Sequence, residues 1–304
     1  MFFYLNNKDT KMQYEIKQLT NTQESEKVLF MTYPIYQRAI RSDANKFILF
    51  AAFKDNQAIG LAVYIIHKNE TVELMSIFTE KSHRNKSVAR SIIKDSTIQL
   101  KKDGIKQIKI VYMDDKPYTN TLENMMNEFN FEAEIPRQSI IKLSIESFEA
   151  KAKFARKLIG IPEDFSLGLW RDVKEKDIEI LNQDNEKTNW IPEQLYPLNY
   201  AKNNCEQYST AIYHKNELVG WMIMHMIAND TIRFTCSYVK DEYQYLNFII
   251  RVYQSIKEEL IKNGINYISW TTPFVYKPMV NFNQKWMSKY CVYEGISKER
   301  NLYI

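Results

Sequence analysis

The sequence predicts an α/β (α+β) fold built as two tandem copies of one domain, each a mixed, mostly antiparallel sheet flanked by helices. Three observations predict it. Gly60 and Gly220 stand 160 positions apart, and so do Gly104 and Gly264. Between these anchors the same offset lays Thr71-Val72 on Thr231-Ile232 and Phe78 on Tyr238 without a gap. A period of this length fits duplicated domains, not a solenoid of short repeats. Finally, residues 71–104 read as strand, polar loop and helix, the centre around which the first copy is arranged. Residues 71–78 are rich in strand formers, and apolar residues from Val88 to Leu100 follow a helical spacing that Asp103-Gly104 stops.

The first copy reads as a strand at 13–19, helix over 23–40 broken near Pro34, and a hairpin of strands 47–53 and 58–66 turning at Asp55-Asn56. Strand 71–78, the loop and the helix follow. A buried-type strand at 105–112 and a helix at 120–129 come next. Segments 131–133 and 139–143 are expected to close the unit as a last strand pair. The charged stretch 147–162, with Gly160 and Pro162, reads as a connector. The domains expected are therefore 1–146 and 163–304. The second copy repeats the plan: strand 167–173, helical segments around Trp190-Ile191-Pro192, strands near 206–213, 218–227 and 230–239, helix 243–262, strand 265–271, and a last helix and strand.

Composition sets limits. Apolar residues are 45% and charged residues 26% of the 304, as in a water-soluble globular protein. A net charge of +4 is too mild to call for nucleic acid. Cys205, Cys236 and Cys291 are odd in number, far apart and without a C-x-x-C, which fits a reducing cytoplasm and no zinc site. The histidines stand at no ligand spacing, so no metal is expected. Met1-Phe2-Phe3-Tyr4-Leu5 is too short for a signal segment, and no apolar run approaches the roughly 18 residues of a membrane span.

The loop carries the chemistry. Lys81, His83, Arg84 and Lys86 are basic, Ser87 and Ala89 are small, and a helix begins there. Its first N–H groups have no partner within the helix and its dipole is positive, so the loop suits an anion. The alternative is a basic turn that caps an ordinary helix.

The run Arg84-Asn85-Lys86-Ser87-Val88-Ala89 resembles the acyl-CoA pyrophosphate loop of the GNAT N-acetyltransferase superfamily, Arg/Gln-x-x-Gly-x-Gly/Ala between a strand and a long helix, with Ser87 in place of Gly. The order of elements in both copies is similar to the GNAT fold. Met279 to Trp286 resembles the family's late helix. The resemblance implies acetyl-CoA as acyl donor and a small-molecule or peptide amine as acceptor. It implies that Arg84, Asn85, Lys86, Ser87, Val88, Ala89 and Arg90 surround the pyrophosphate, with Lys81 and His83 adding charge. It further implies that Ile77, Phe78 and Thr79 pair with the pantetheine arm. Asn120 and Asn124 are candidates to hydrogen-bond its amides, the alternative being a solvated helix face.

For catalysis, Glu73 stands where many members carry a Glu acting through water; the alternative is an outward-facing strand carboxylate. The usual acid, a Tyr four residues before Gly-Phe, is replaced: Asn130-Phe131 takes the Gly-Phe place and Met126 the Tyr place. Met donates no proton. Tyr112 or Tyr118 are the substitutes, packing being the alternative role for both. The second copy sets Gln244, Asn247 and Ile249 on Arg84, Ser87 and Ala89, and Arg233 on Glu73, so cofactor binding is expected in the first copy alone. Trp190, Tyr196, Trp221 and Trp270 are candidates to line an acceptor pocket. The rival to an acetyltransferase is a non-catalytic acyl-CoA-binding or scaffold protein of the same fold. A tRNA-dependent aminoacyl transferase ranks last, since no strong basic face is present.

Overall fold

The computed structural model describes residues 14–158 and 160–304. Gln13 of the first expected strand, the run Met1 to Leu5, and Ile159 of the expected connector lie outside the described residues. The chain forms two compact units, residues 1–137 with 297–304, and residues 138–296.

Unit 1 contains β1 (Glu15–Leu19), α1 (Thr22–Glu26), α2 (Pro34–Ser42), β2 (Phe47–Lys54), β3 (Gln57–Ile66), β4 (Thr71–Thr79), α3 (Val88–Lys102), β5 (Gln107–Met113) and α4 (Thr119–Glu128). Strands pair in the order β1-β2-β3-β4-β5, antiparallel except for β4 with β5. The hairpin turns on Asp55 and Asn56, both at positive φ, as a two-residue turn between twisted strands requires. Pro34 starts α2 at a position where its missing N–H is no loss.

The sheet buries both faces. Phe50, Ala52, Ala62, Tyr64, Val72 and Leu74 pack under α3 and α4. Leu49, Ala51, Leu61 and Val63 pack with Val28, Leu29, Met31 and Ile40 from the region of α1 and α2. Gly60 explains its place in the repeat. A Cβ there would lie 3.0 Å from Ile92 and Val88 of α3 and 3.1 Å from the Phe78 carbonyl.

Unit 2 contains β6 (Ile135–Ser144, from Gln138 onward), α5 (Ile145–Lys151), β7 (Phe165–Leu169), α6 (Glu175–Thr188), β8 (Thr210–His214), β9 (Glu217–Ala228), β10 (Thr231–Val239), α7 (Phe248–Lys262), β11 (Tyr267–Pro273), α8 (Lys277–Phe282) and the start of β12 (Cys291–Tyr303). Its strands pair in the order β6-β11-β10-β9-β8-β7, with only β10 and β11 parallel. Gly220 repeats the close approach of Gly60: a Cβ would meet the Tyr238 carbonyl at 2.7 Å. Gly104 and Gly264 both end helices at positive φ, 85° and 76°.

Three expectations need correction. Residues 131–133 form no strand, and 139–143 do not close the first unit. They belong to β6, which pairs along Tyr267–Pro273 of β11 in unit 2. The partner of β5 is instead the chain's last strand, with residues 297–303 set against Gln107–Met113. Nor are residues 147–151 a free connector. Phe148 lies in the core of unit 2, and Glu149 accepts hydrogen bonds from Tyr253 (3.0 Å), Gln254 (3.1 Å) and Lys257 (2.6 Å). After Pro192 the expected helix is reduced to short 3-10 turns.

The last strand also brings a buried cation into unit 1. Arg300 donates from Nε to the Glu132 carbonyl at 2.6 Å and from Nη2 to that of Phe131 at 2.9 Å. These groups follow α4 and need a donor because the chain there is not a strand.

Candidate active site

The site in unit 1 starts from a defect in pairing. β4 and β5 are parallel partners only from Thr71 to Leu74 and Gln107 to Ile110. A bulge at Met75 shifts the register against β3, so Leu74 faces Tyr64 while Ser76 faces Val63. Beyond it, Ile77, Phe78 and Thr79 stay bonded to β3 but have lost β5. Their outer edge offers backbone groups to an extended ligand.

The loop after β4 delivers α3. Asn85 and Ser87 are both left-handed, at φ 59° and 63°. Glycine would adopt this backbone freely, whereas the Ser87 side chain makes the left-handed conformation costly. Among the described residues, none of the N–H groups of Asn85, Lys86, Ser87, Val88, Ala89 and Arg90 donates a backbone hydrogen bond. Val88 is buried and Ala89 packs against the core, which fixes the helix start beneath the loop. Six unpaired donors at a helix N-terminus fit a phosphate group.

The basic side chains divide by role. Arg84 folds back, donating from Nε to the Thr79 carbonyl at 3.1 Å and from Nη1 to Tyr118 at 3.1 Å. It thereby closes the strand end and brings Tyr118 to the loop. Arg90 is committed to Glu128 by two hydrogen bonds, 2.5 and 2.9 Å, so only its backbone faces the loop. Lys81 and Lys86 form no ion pair among the described residues. His83 sits edge-on to Tyr14, with Nδ1 buried and unpaired. Asn120 is exposed in the first turn of α4.

Glu73 and Tyr112 are not brought together. Glu73 pairs with Lys109 across the strands and bonds its Nζ at 2.9 Å and His67 Nε2 at 3.2 Å. Alternation puts both on the face opposite Ile108, Ile110 and Tyr112. Near this face Thr32 and Ser76 share a hydrogen bond of 2.6 Å, and Tyr36 feels the Glu73 charge. Tyr112 is buried on the other face and donates to Glu123 Oε1 at 3.0 Å. Burial, then this bond, push its phenol well above the usual range. Met126 and Phe131 lie in the same core, and Asn130 supplies the left-handed residue for which glycine is usual.

Sequence reasoning missed Thr119. Its hydroxyl donates to the Met113 carbonyl at 2.8 Å and accepts from Lys116 N at 3.1 Å, tying α4 to the free end of β5. A Thr at the start of a helix after a polar turn was the available signal.

In unit 2 the same frame is occupied by its own side chains. β10 and β11 also separate after Phe234 and Trp270, with a bulge at Thr235. Gln244 donates to the Val239 carbonyl at 3.4 Å, as Arg84 does to Thr79. Arg251 donates to the carbonyls of Leu246 (2.7 Å) and Gly160 (2.8 Å), and Ile250 N to that of Asn247. Trp221 is buried and donates to the Leu195 carbonyl, Trp190 stacks on Tyr238, Trp270 donates to Asn283 and Tyr196 to Asn182. These aromatic residues are packing and hydrogen-bonding partners within unit 2.

Among the described residues no helix is long and apolar enough to cross a membrane. Fold and site together define a chain of two compact units, the first with a strand–loop–helix whose loop N–H groups are open. Residues 13–123 match the model of the acetyltransferase (GNAT) family. No curated protein matches the chain. Among solved structures, a tandem GNAT protein from the clavulanic acid biosynthesis pathway aligns over 96% of this chain and 98% of its own, with a TM-score of 0.66 and 10% identity. A GCN5-related N-acetyltransferase from Sphaerobacter thermophilus aligns over 95% and 96%, at a TM-score of 0.57 and 7% identity. The glucosamine N-acetyltransferase region of a fungal multi-domain β-N-acetylglucosaminidase aligns over 96% of this chain and 38% of its own, at 0.63 and 10%. At these identities the likeness is one of fold. The chain is a tandem protein of the GNAT fold, and its first copy carries the acetyltransferase (GNAT) family match.

Proposed function

We propose that unit 1 binds acetyl-CoA and transfers its acetyl group directly to the amine of a small-molecule or peptide acceptor. The observation that carries this reading is the row of unpaired N–H groups from Asn85 to Arg90 beside the edge of Ile77, Phe78 and Thr79 that β5 has left. The loop would hold the pyrophosphate, Lys81 and Lys86 would add charge, and the edge would hold the pantetheine arm. The donor supplies the acetyl group as an activated thioester.

The acceptor amine must be neutral to attack. Glu73 is the carboxylate on the α1/α2 face of the sheet, and we assign it the proton, taken through water. Lys109 and His67 fix its orientation. Tyr112 has no part in this scheme, because its hydroxyl serves Glu123 on the other face. The departing sulfur takes its proton from water. The frame of unit 2, occupied by Arg251 and Gln244, makes it the non-binding copy.

A second reading, a non-catalytic acyl-CoA-binding protein, draws on one observation: the usual acid is replaced by buried Met126. Calorimetry with acetyl-CoA on wild type, Arg84→Ala and Gln244→Ala tests cofactor binding. Only the first substitution is expected to weaken it, and equal losses from both would move the site to unit 2. Thiol release on a panel of amines separates the two readings; binding without release on any amine favours the second.

A further inference from the structure

Where unit 1 carries a closed ion pair, unit 2 carries an unanswered cation. Arg233 on β10 stands 160 positions after Glu73, opposite His225 on β9 and beside Ser269 on β11. Among the described residues its side chain makes no ion pair and no hydrogen bond, and its Nε is sealed from solvent without a partner. The residue as a whole is partly exposed, so the outer end of the guanidinium is reachable. Burial alone lowers its basicity, with no carboxylate acting against it.

The surroundings repeat the sign. Ile232, Phe234, Ile268, Ile141 and Leu143 point into the core under α7. Alternation therefore sets Arg233, Ser269 and Lys142 together on the other face. Lys142 pairs with Ser269 across the sheet, so Arg233 and Lys142 flank Ser269 with their backbones about 9–10 Å apart, two strand spacings. Lys142 lies 4.0 Å over the Tyr267 ring and forms no ion pair among the described residues. His225 is held by Thr235 and by the Lys202 carbonyl. Strands β6, β10 and β11 contain no carboxylate at all.

A partly buried guanidinium without a counter-ion is unfavourable in the free protein, since burial penalises charge that is not paired. Its planar fork matches a carboxylate, which would both neutralise it and fill its donors. We propose that this face of unit 2 binds a small molecule bearing carboxylate groups, one held by the Arg233 fork and a second drawn by Lys142.

The test follows the Arg233 Nε–H resonance by nitrogen–proton correlation, with calorimetry, on the full chain titrated with glutarate, butyrate or inorganic phosphate. Glutarate is expected to shift the resonance saturably and to bind several-fold tighter than butyrate. Lys142→Gln should erase that difference. Arg233→Gln should abolish binding and raise the melting temperature of the ligand-free protein, because a buried unpaired charge is gone. Should that variant fail to fold, Arg233→Lys keeps the charge without the fork and should lose about tenfold in affinity. Arg84→Ala should leave all of this unchanged. No saturable shift with glutarate, or phosphate binding as tightly, would overturn the proposal. Neither readout involves acetyl-CoA or turnover, so the outcome is separate from that of the acetyl-transfer reading.

Discussion

Ser87 and Asn247 share one backbone conformation. Each is left-handed, φ 63° and 56°, and each immediately precedes the long helix of its unit, α3 or α7. The loop frame has thus been kept in both copies, and the difference in their chemistry lies in what surrounds it. Around Ser87 the donors are open; around Asn247, Arg251 and Ile250 N are bonded to the loop.

Replacing Ser87 by glycine is expected to relieve the left-handed penalty. Part of the gain is offset by the freer unfolded chain, so the net stabilisation is about 0.5–1 kcal/mol. Urea denaturation measures it. A loss of stability would mean that the Ser87 side chain holds the loop in a way its contacts do not reveal.

Arg300→Ala leaves the carbonyls of Phe131 and Glu132 without their donor in a buried setting. A loss of about 2–4 kcal/mol is expected, from desolvated acceptors left unmade. Removing residues 297–304 should go further and unfold unit 1, since β5 then lacks its partner. Amide exchange resolves the two units: protection should vanish in unit 1 and persist in unit 2. Retained protection of β5 would contradict the strand pairing.

Glu73→Gln should lower kcat about a hundredfold while leaving acetyl-CoA affinity unchanged, as for loss of a general base. Tyr112→Phe should keep kcat within about twofold and lose about 1 kcal/mol of stability, because only its bond to Glu123 is removed. The reverse pattern in steady-state kinetics would return the acid role to Tyr112.

Burial pushes the Cys236 thiol up to about 11 and the Cys291 thiol up to about 12, both from 9.0. The folded state therefore holds these protons more tightly than the unfolded chain does. Their contribution to stability is complete below pH 9 and is lost as pH rises through the folded values. Urea midpoints should fall between pH ~9 and pH ~12, and the fall should be shallower in the Cys236→Ser, Cys291→Ser double variant. An unchanged slope would rule out these thiols as its source.

The repeat was legible because its anchors answer to local physics. Gly60 and Gly220 allow close approach, while Gly104 and Gly264 end helices at positive φ. The loop was legible for the same reason, as short residues and a helix start are local signals. What could not be read was pairing between distant segments. Nothing in 139–143 distinguishes β5 from β11 as a neighbour; both would offer an alternating strand. The bond of Tyr112 to Glu123 could not be read because the two stand on different elements. Left-handed positions were also hard to place, because Asn and not Gly holds them at Asn85, Asn130 and Asn247.

The pairing of β5 with residues 297–303 also sets an order of assembly. During synthesis all of unit 2 emerges before the strand that completes unit 1. The half of the sequence made first is the half that closes last. Until then β5 presents a bare edge, and the proposed acetyl-CoA loop is carried on an unfinished sheet.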